Sequence, residues 1–412
     1  MRPRQDSGVD LKVSLISIAL LLCLSVPGEG RGETQIPFSG IAFTSELSLA
    51  RDSMPYTFGI IGDEDSIKST TFRKNLREKA EGKQLKNGAF LSANAQNRLK
   101  RGQALAVALA IERERMLETK LSDEEYQLSF DIDATILAFN FSEKAIVSSH
   151  PIKLTLLTSL SEEPTENDRS KLANIMFFGD GEKEWFEDLS GSYLITEFMK
   201  AVQDTEIRQA WRSHIRVKNI DLSPQAAKVL KDLDQDPDYM RQLIASSISS
   251  SMSTRLKIPV LPYVKSQAIQ SSMTLKFFET DLMNFKIPEA SFHIDITLRG
   301  FGAKTLEETN RTRVVSYISG VQVHIIDIDF DKSRMKQKFQ SGNVKRVTAE
   351  MTENLWHEYE ISLLSLLDQI VMQIGKPEKK WVEKRTSGNS KTRDVVKSLK
   401  NVKKQVIDQV RS

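Results

Sequence analysis

The chain contains 412 residues, of which 40% are hydrophobic and 27% are charged, and its formal net charge is +3 at pH 7. This composition excludes a predominantly disordered chain and provides enough apolar residues for two domains, each with its own core. The charge is unevenly distributed, because residues 376–412 contain 12 basic and 4 acidic residues while the rest of the chain is slightly acidic.

A cleavable secretory signal is predicted over residues 1–30. Basic residues precede a nearly unbroken apolar run over residues 13–26, and a turn with small residues follows. The run is shorter than the roughly 20 residues of a membrane-spanning helix, and the alternatives are an uncleaved anchor or a buried helix. Cleavage would remove the only cysteine, Cys23, and a chain without cysteines is typical of a bacterial periplasm. We therefore expect an exported protein, either periplasmic or secreted.

A first α+β unit is predicted over residues 31–215. Apolar and polar residues alternate over residues 130–139, which is typical of a half-buried strand, and a second strand over residues 145–157 would complete a hairpin. An alanine-rich helix over residues 95–121 is predicted before this hairpin. A second helix, beginning near Trp185, is predicted after it.

A second α+β unit is predicted over residues 216–375. Strands over residues 292–301 and 314–330 form its hairpin. Asp236 is followed directly by a proline, which predicts the start of a helix before the hairpin. A helix beginning near Trp356 is predicted to close the unit at its last residue, a glycine.

Several shorter segments have weaker patterns. Residues 36–43 and 56–61 are predicted to add strands to the first unit, and residues 214–220 and 256–264 to add strands to the second. Residues 62–92 are rich in charge and are predicted to be a poorly ordered surface segment.

The two hairpins resemble each other in sequence. Residues 130–139 and 292–301 are identical at five of ten aligned positions. This similarity predicts a tandem duplication of an α+β unit, in which an antiparallel hairpin or sheet has flanking helices packed on one face. The alternative is a coincidental similarity between two amphipathic hairpins.

A candidate metal site lies on the second hairpin. His293 and Asp295 share one face of the first strand, and His324 lies on the strand expected to pair with it. Two histidines with carboxylates suit zinc or another divalent ion. Asp327 and Asp329 would join the group only if a bulge after His324 changed the phase of that strand. The alternative interpretation is the water-facing side of a sheet.

No other pattern predicts catalysis or a cofactor. The serine-rich segment over residues 246–253 has no nucleophile elbow, and the glycines do not form a phosphate-binding loop. The sequence therefore predicts no catalytic residue and no cofactor.

The basic tail over residues 376–412 is predicted to contain an amphipathic helix over residues 394–410. Such a helix is suited to an envelope protein partner or an anionic membrane surface. It could instead fold back onto the acidic body or remain disordered. Nucleic acid is not expected, because aromatic stacking groups are almost absent. The predicted contact residues are Val395, Leu399, Val402, Val406, Lys397, Lys400, Lys403 and Lys404.

These observations predict an exported, non-catalytic binding or assembly component of a bacterial cell envelope. Its two α+β units and its basic C-terminal helix would contact a partner, and the sequence does not indicate an oligomeric state. One alternative is a metal-assisted hydrolase that uses His293, Asp295 and His324. Another is a periplasmic carrier that holds a small ligand in a cleft between the two units.

Overall fold

The predicted α+β fold class is confirmed, because two sheets are combined with helices that pack against their faces. The predicted signal over residues 1–30 and the predicted helix start at Trp185 lie outside the described residues. The computed structural model describes residues 34–44, 47–63, 65–93, 105–122, 124–179, 191–208, 211–263, 272–277, 282–348, 354–388 and 390–411.

The first sheet consists, in spatial order, of β2 (Phe90–Ser92), β1 (Gln35–Phe43), β3 (Leu105–Ser122), β4 (Glu125–Asn140), β5 (Ala145–Leu160), β8 (Leu282–Lys286) and β7 (Ser272–Phe277). Strand β7 also pairs with β1, so the sheet curls until its strands meet. Strands β3, β4 and β5 are antiparallel neighbours, while β1 runs parallel to β3. The elements up to residue 204 are β1 (Gln35–Phe43), α1 (Leu47–Ser53), α2 (Pro55–Thr57), a π-helical turn (Phe58–Gly62), α3 (Ile67–Ala80), β2 (Phe90–Ser92), β3 (Leu105–Ser122), β4 (Glu125–Asn140), β5 (Ala145–Leu160), α4 (Glu166–Phe178) and α5 (Tyr193–Asp204).

The second sheet consists, in spatial order, of β11 (Lys332–Thr348), β10 (Thr312–Asp327), β9 (Phe292–Glu308) and β6 (Ile215–Leu222). Strand β6 runs parallel to β9, and the other pairs are antiparallel. Strands β7 and β8 also come from this part of the chain, yet they belong to the first sheet. The elements from residue 215 onward are β6 (Ile215–Leu222), α6 (Pro224–Asp232), α7 (Pro237–Leu256), β7 (Ser272–Phe277), β8 (Leu282–Lys286), β9 (Phe292–Glu308), β10 (Thr312–Asp327), β11 (Lys332–Thr348), α8 (Leu355–Gly375), α9 (Lys379–Arg385), α10 (Thr392–Val402), a π-helical turn (Lys403–Ile407) and α11 (Asp408–Arg411).

The helix pair α7 and α8 lies between the two sheets. Helix α7 packs against β5 of the first sheet and β6 of the second, and α8 packs against β10 and β11. The other face of the first sheet is covered by α3, α4 and α5, where Phe130 of β4 joins a cluster with Phe72, Phe177 and Phe198. No helix within the described ranges combines the length and apolar composition needed to cross a bilayer.

Both sheets are connected in the same order. An opening strand (β1 or β6) is followed by helices, then by three antiparallel strands, the first of which lies parallel to the opening strand. In this order β4 corresponds to β10, whereas the sequence similarity pairs residues 130–139 of β4 with residues 292–301 of β9. The tandem duplication stays a prediction, since connectivity and sequence similarity differ by one strand.

The predicted helix over residues 95–121 is wrong, because residues 105–122 form strand β3. Val107 and Ile111 face the helices of the first sheet, whereas Ala106, Ala108 and Ala110 face the interior of the curled sheet. Both faces are therefore buried, so polarity does not alternate along this half of the strand. Alanine's high helix propensity then suggested the wrong element.

Three further predictions are corrected. Residues 56–61 lie in α2 and the π-helical turn instead of a strand. Residues 62–92 contain α3 and β2, and Phe72 and Leu76 are buried in the core. Helix α7 continues to the start of the segment 256–264, and the described residues of that segment form an isolated bridge at Leu261 instead of a strand.

Other local predictions are confirmed. The strands predicted at residues 36–43 and 214–220 form within two residues of the predicted bounds. The Asp236 side chain accepts a hydrogen bond from the Asp238 amide, which makes it the N-cap of α7. Helix α8 ends at Gly375 as predicted.

The C-terminal helix folds back onto the chain itself. Val395, Leu399, Val402 and Val406 are each 0% exposed and share an apolar cluster with Phe339 of β11. This corrects their assignment as contacts for a partner, because these side chains are already covered. The apolar side of the C-terminal helix is thus part of the core that covers the second sheet.

Docking of the tail makes a prediction about stability. Leu399→Ala should lower the free energy of unfolding by about 2–5 kcal/mol, because it leaves a cavity between α10 and β11. Lys397→Ala, on the exposed side of the same helix, is the matched control and should change that energy by less than about 0.5 kcal/mol. Chemical denaturation measures both variants. Equally small losses would contradict the docked helix.

Candidate functional site

Charged side chains are buried where the first sheet meets α7 and α8. Arg115 of β3 donates from Nη2 to Asp131 of β4 over 2.8 Å and from Nη1 to Glu360 of α8 over 2.5 Å. The same Nη1 donates to the hydroxyl of Tyr239 on α7 over 2.7 Å. One guanidinium group thus joins two strands of the first sheet to both helices of the middle layer.

A second ion pair lies beside the first. Arg113 donates to Asp133, with its Nε 2.9 Å from Oδ2, and Ser246 of α7 lies 3.4 Å from its Nη2. Residues two apart in a strand share a face, so Arg113 and Arg115 lie together opposite Asp133 and Asp131. We refer to these four residues with Glu360 and Tyr239 as the junction cluster.

A β-bulge turns these arginines toward α7 and α8. The pairing of β3 with β4 shifts between Ile111 and Arg113, which leaves Glu112 as an extra residue. Before the bulge odd-numbered side chains face α3–α5, and after it even-numbered ones do. Glu114 consequently points to α2, where it accepts hydrogen bonds from the amides of Tyr56 and Thr57 over 2.9 and 2.6 Å.

The junction cluster is closely balanced in charge. Burial opposes ionisation of Asp131, yet Lys153 and Arg115 hold the pKa of its carboxyl below the usual range. Burial raises the pKa of Tyr239 to about 12, so its hydroxyl remains a neutral donor and acceptor. Burial, followed by repulsion from Asp133, raises the pKa of Glu112 to about 7. Together with the neighbouring Lys153, the cluster sets three cations against Asp131, Asp133 and Glu360. Glu112, beside the cluster, is a carboxyl that titrates near neutrality.

A cleft of about 650 Å³ opens beside Arg115. One wall comes from the β3–β4 hairpin, and the other comes from the segments that begin α7 and α8. Apolar side chains predominate, with amide and cationic groups between them. The lining residues are Arg115, Leu117, Lys120, Leu233, Gln235, Tyr239, Asn354, Leu355 and Trp356.

The predicted metal residues lie on the outer face of the second sheet. Asp295 is the direct cross-strand partner of His324, but it accepts a hydrogen bond from Asn219 over 2.9 Å. The His324 Nε2 lies 3.0 Å from the hydroxyl of Ser333. Within the described residues no three His, Cys, Asp or Glu side chains are close enough to hold a metal ion, so His293 does not complete a ligand set.

The local charge at these histidines is also positive. Burial lowers the pKa of His293, and Arg216 lowers it further. Burial and Lys336 likewise lower the pKa of His324. Asp327 lies on the opposite, buried face and pairs with Arg334, because the bulge at this position is in β11 and not in β10.

The predicted tail lysines are all exposed. Lys397, Lys400, Lys403 and Lys404 lie on α10 and the following π-helical turn, away from the buried stripe. Their role in binding a partner stays a prediction.

The junction cluster was missed at the sequence level, although a signal was present. Residues 112–115 alternate acid and base, and residues 131 and 133 are acids two positions apart. Read as neighbouring strands, the two patterns predict cross-strand ion pairs. Because residues 95–121 were predicted to form a helix, the cross-strand pairing of these residues was not predicted.

No family model matches the chain, and no curated protein matches it. Among solved structures, a DUF330 protein from Xanthomonas campestris matches 40% of this chain and 87% of its own, with 8% identity and a TM-score of 0.23. A putative neuraminyllactose-binding hemagglutinin homolog from Helicobacter pylori matches 43% and 91%, with 10% identity and a TM-score of 0.22. A hypothetical protein from Chlamydia trachomatis matches 39% and 95%, with 14% identity and a TM-score of 0.21. Such low TM-scores carry no argument about function.

Removing the central cation should strongly destabilise the fold. Arg115→Ala leaves Glu360 buried without its ion-pair partner and leaves Asp131 with Lys153 alone, so we expect a loss of about 3–5 kcal/mol in unfolding free energy. Arg255→Ala is the control, because Arg255 forms a more exposed pair with Asp368 and should cost about 1 kcal/mol at most. Urea denaturation compares the two. Similar losses in both variants would contradict the importance of the junction cluster.

The raised pKa of Glu112 predicts a pH dependence. A folded-state pKa near 7 means that the stability this carboxyl provides is present below pH 4.5 and is lost as pH rises toward 7. The glutamine in Glu112→Gln cannot ionise. The unfolding free energy of the variant minus that of the parent should therefore rise by about 2 kcal/mol between pH 5 and pH 7.5. Denaturation curves across this range measure the difference. A constant difference would contradict the raised pKa.

Proposed function

We propose that the protein is a non-catalytic binding component of a bacterial cell envelope, which holds a small amphipathic ligand in the cleft beside Arg115. The observation that carries this proposal is the cleft itself. Its volume of about 650 Å³ falls within the roughly 300–1,000 Å³ of small-molecule sites.

The lining supports a ligand with a large apolar part. Leu117, Leu233, Leu355 and Trp356 supply apolar surface from both walls. Trp356 is only 9% exposed and is held edge-on by Phe301, so this wall is rigid before a ligand arrives. Preformed apolar walls reduce the entropy lost on binding.

The polar groups of the cleft support one anionic group on the ligand. Lys120 supplies the cation from the β3 wall, 5.9 Å from the ring of Tyr126, since the guanidinium of Arg115 is already paired with Asp131 and Glu360. Gln235 and Asn354 add amide groups. An acid placed between these side chains would gain electrostatic attraction without displacing the apolar contacts.

The junction cluster favours binding over catalysis. General acid and base chemistry needs a group that exchanges a proton near the working pH. Asp131 is held ionised by Lys153 and Arg115, and Tyr239 is held neutral. Glu112, whose pKa is raised to about 7, is not among the residues that line the cleft. Asp131 and Tyr239 are therefore suited to fixing the shape of the cleft floor. The envelope location rests on the predicted signal over residues 1–30.

Binding of 1-anilinonaphthalene-8-sulfonate, which combines an aromatic body with one anion, tests the cleft. Leu233→Trp should fill it and Lys120→Glu should repel the anion, each raising the Kd by about tenfold or more. Lys79→Glu on α3 and Phe330→Ser at an exposed turn are controls that should leave the Kd unchanged. Fluorescence titration provides the values. Loss of binding in Phe330→Ser alone would place the probe outside the cleft and contradict the proposal.

A further inference from the structure

The C-terminal helix presents a line of cations to solvent. Arg393, Lys397, Lys400 and Lys404 are exposed and are spaced by four, three and four residues. At about 100° per residue this spacing places them in one row along the helix, directly opposite the buried stripe. The row spans about 16 Å, from a rise of about 1.5 Å per residue.

The positive charge of this row is not neutralised within the described chain. None of the four side chains forms an ion pair with a described carboxylate, and the acidic residues of the segment, Asp394 and Asp408, lie toward its two ends. Neighbouring elements extend the charge, because α9 and β11 both pack against α10. Their exposed cations include Lys379, Lys380, Lys384, Lys336 and Lys338, against one exposed carboxylate, Glu383 of α9.

We propose that this row lies flat on the surface of an anionic lipid bilayer. The stripe around Leu399 is buried in the chain's own core, so the helix neither inserts into the acyl region nor occupies the apolar groove of a protein partner. A planar array of lipid phosphates instead matches a straight row of cations, and attraction of this kind acts through charge alone.

Aromatic geometry argues against single-stranded nucleic acid as the occupant. Trp381 is the only aromatic residue of the tail, and its ring packs against Phe339 with centroids 5.7 Å apart. Its Nε1 donates to Gln369 over 2.8 Å. No stacking platform therefore accompanies the cationic row within residues 390–411, as single-strand binding would require. The proposal is independent of the ligand cleft.

Sedimentation with phosphatidylcholine vesicles, with and without phosphatidylglycerol, tests this surface on the full chain. We expect binding to the anionic vesicles in excess of the neutral ones, and its loss at about 1 M salt, where the Debye length is about 3 Å. The triple variant Lys397→Gln, Lys400→Gln and Lys404→Gln should lose about 100-fold in affinity for anionic vesicles.

A matched triple variant on other elements separates position from net charge. Lys74→Gln, Lys79→Gln and Lys86→Gln remove the same charge from exposed sites and should keep the parent's affinity. Circular dichroism and the unfolding midpoint check that both triple variants fold. Equal losses in the two triple variants, or a preference for heparin over anionic vesicles that depends on the same row, would overturn the proposal.

Discussion

The arrangement of the two sheets depends on the guanidinium group of Arg115. It joins Asp131 in the first sheet to Tyr239 and Glu360 on the helices that cover the second. Removing charges from water is costly, and the cost is offset only when paired groups meet with good geometry. Unlike apolar packing, which tolerates sliding, these directional bonds allow one registration of the helix pair against β3 and β4. The cleft beside Arg115 takes its shape from that registration.

The extra residue in β3 makes this junction accessible to the arginines. Before Glu112 the strand places alanines inside the curled sheet, where Phe139 and Phe285 need the space. After Glu112 the side-chain parity reverses, and Arg113 and Arg115 occupy the face toward α7 and α8. Strand β3 therefore contributes small side chains to the interior of the curled sheet and charged side chains to the contact with α7 and α8. The bulge also leaves a half-buried carboxyl, that of Glu112, whose charge depends on pH near neutrality.

The docked tail has a comparable division between its two sides. Val402 and Val406 extend the core across β11, whereas Lys400 and Lys404 remain in solvent. Because the apolar stripe is satisfied internally, any external contact of this helix must be electrostatic. The ligand cleft and the cationic row are thus separate surfaces, the first built mainly from apolar walls and the second from charge alone.

Local residue patterns determined the elements whose signals depend on a few neighbours. Asp236 and the proline after it specify the start of α7, and alternation specifies β4 and β9. Tertiary structure alone decided β3, because burial on both faces removes alternation, and it alone decided the pairing of Arg115 with Glu360, 245 positions away. It also decided where the stripe around Leu399 docks. An amphipathic stripe suits any apolar surface, since the hydrophobic effect is non-directional, and only the folded chain supplies Phe339 and its neighbours as that surface.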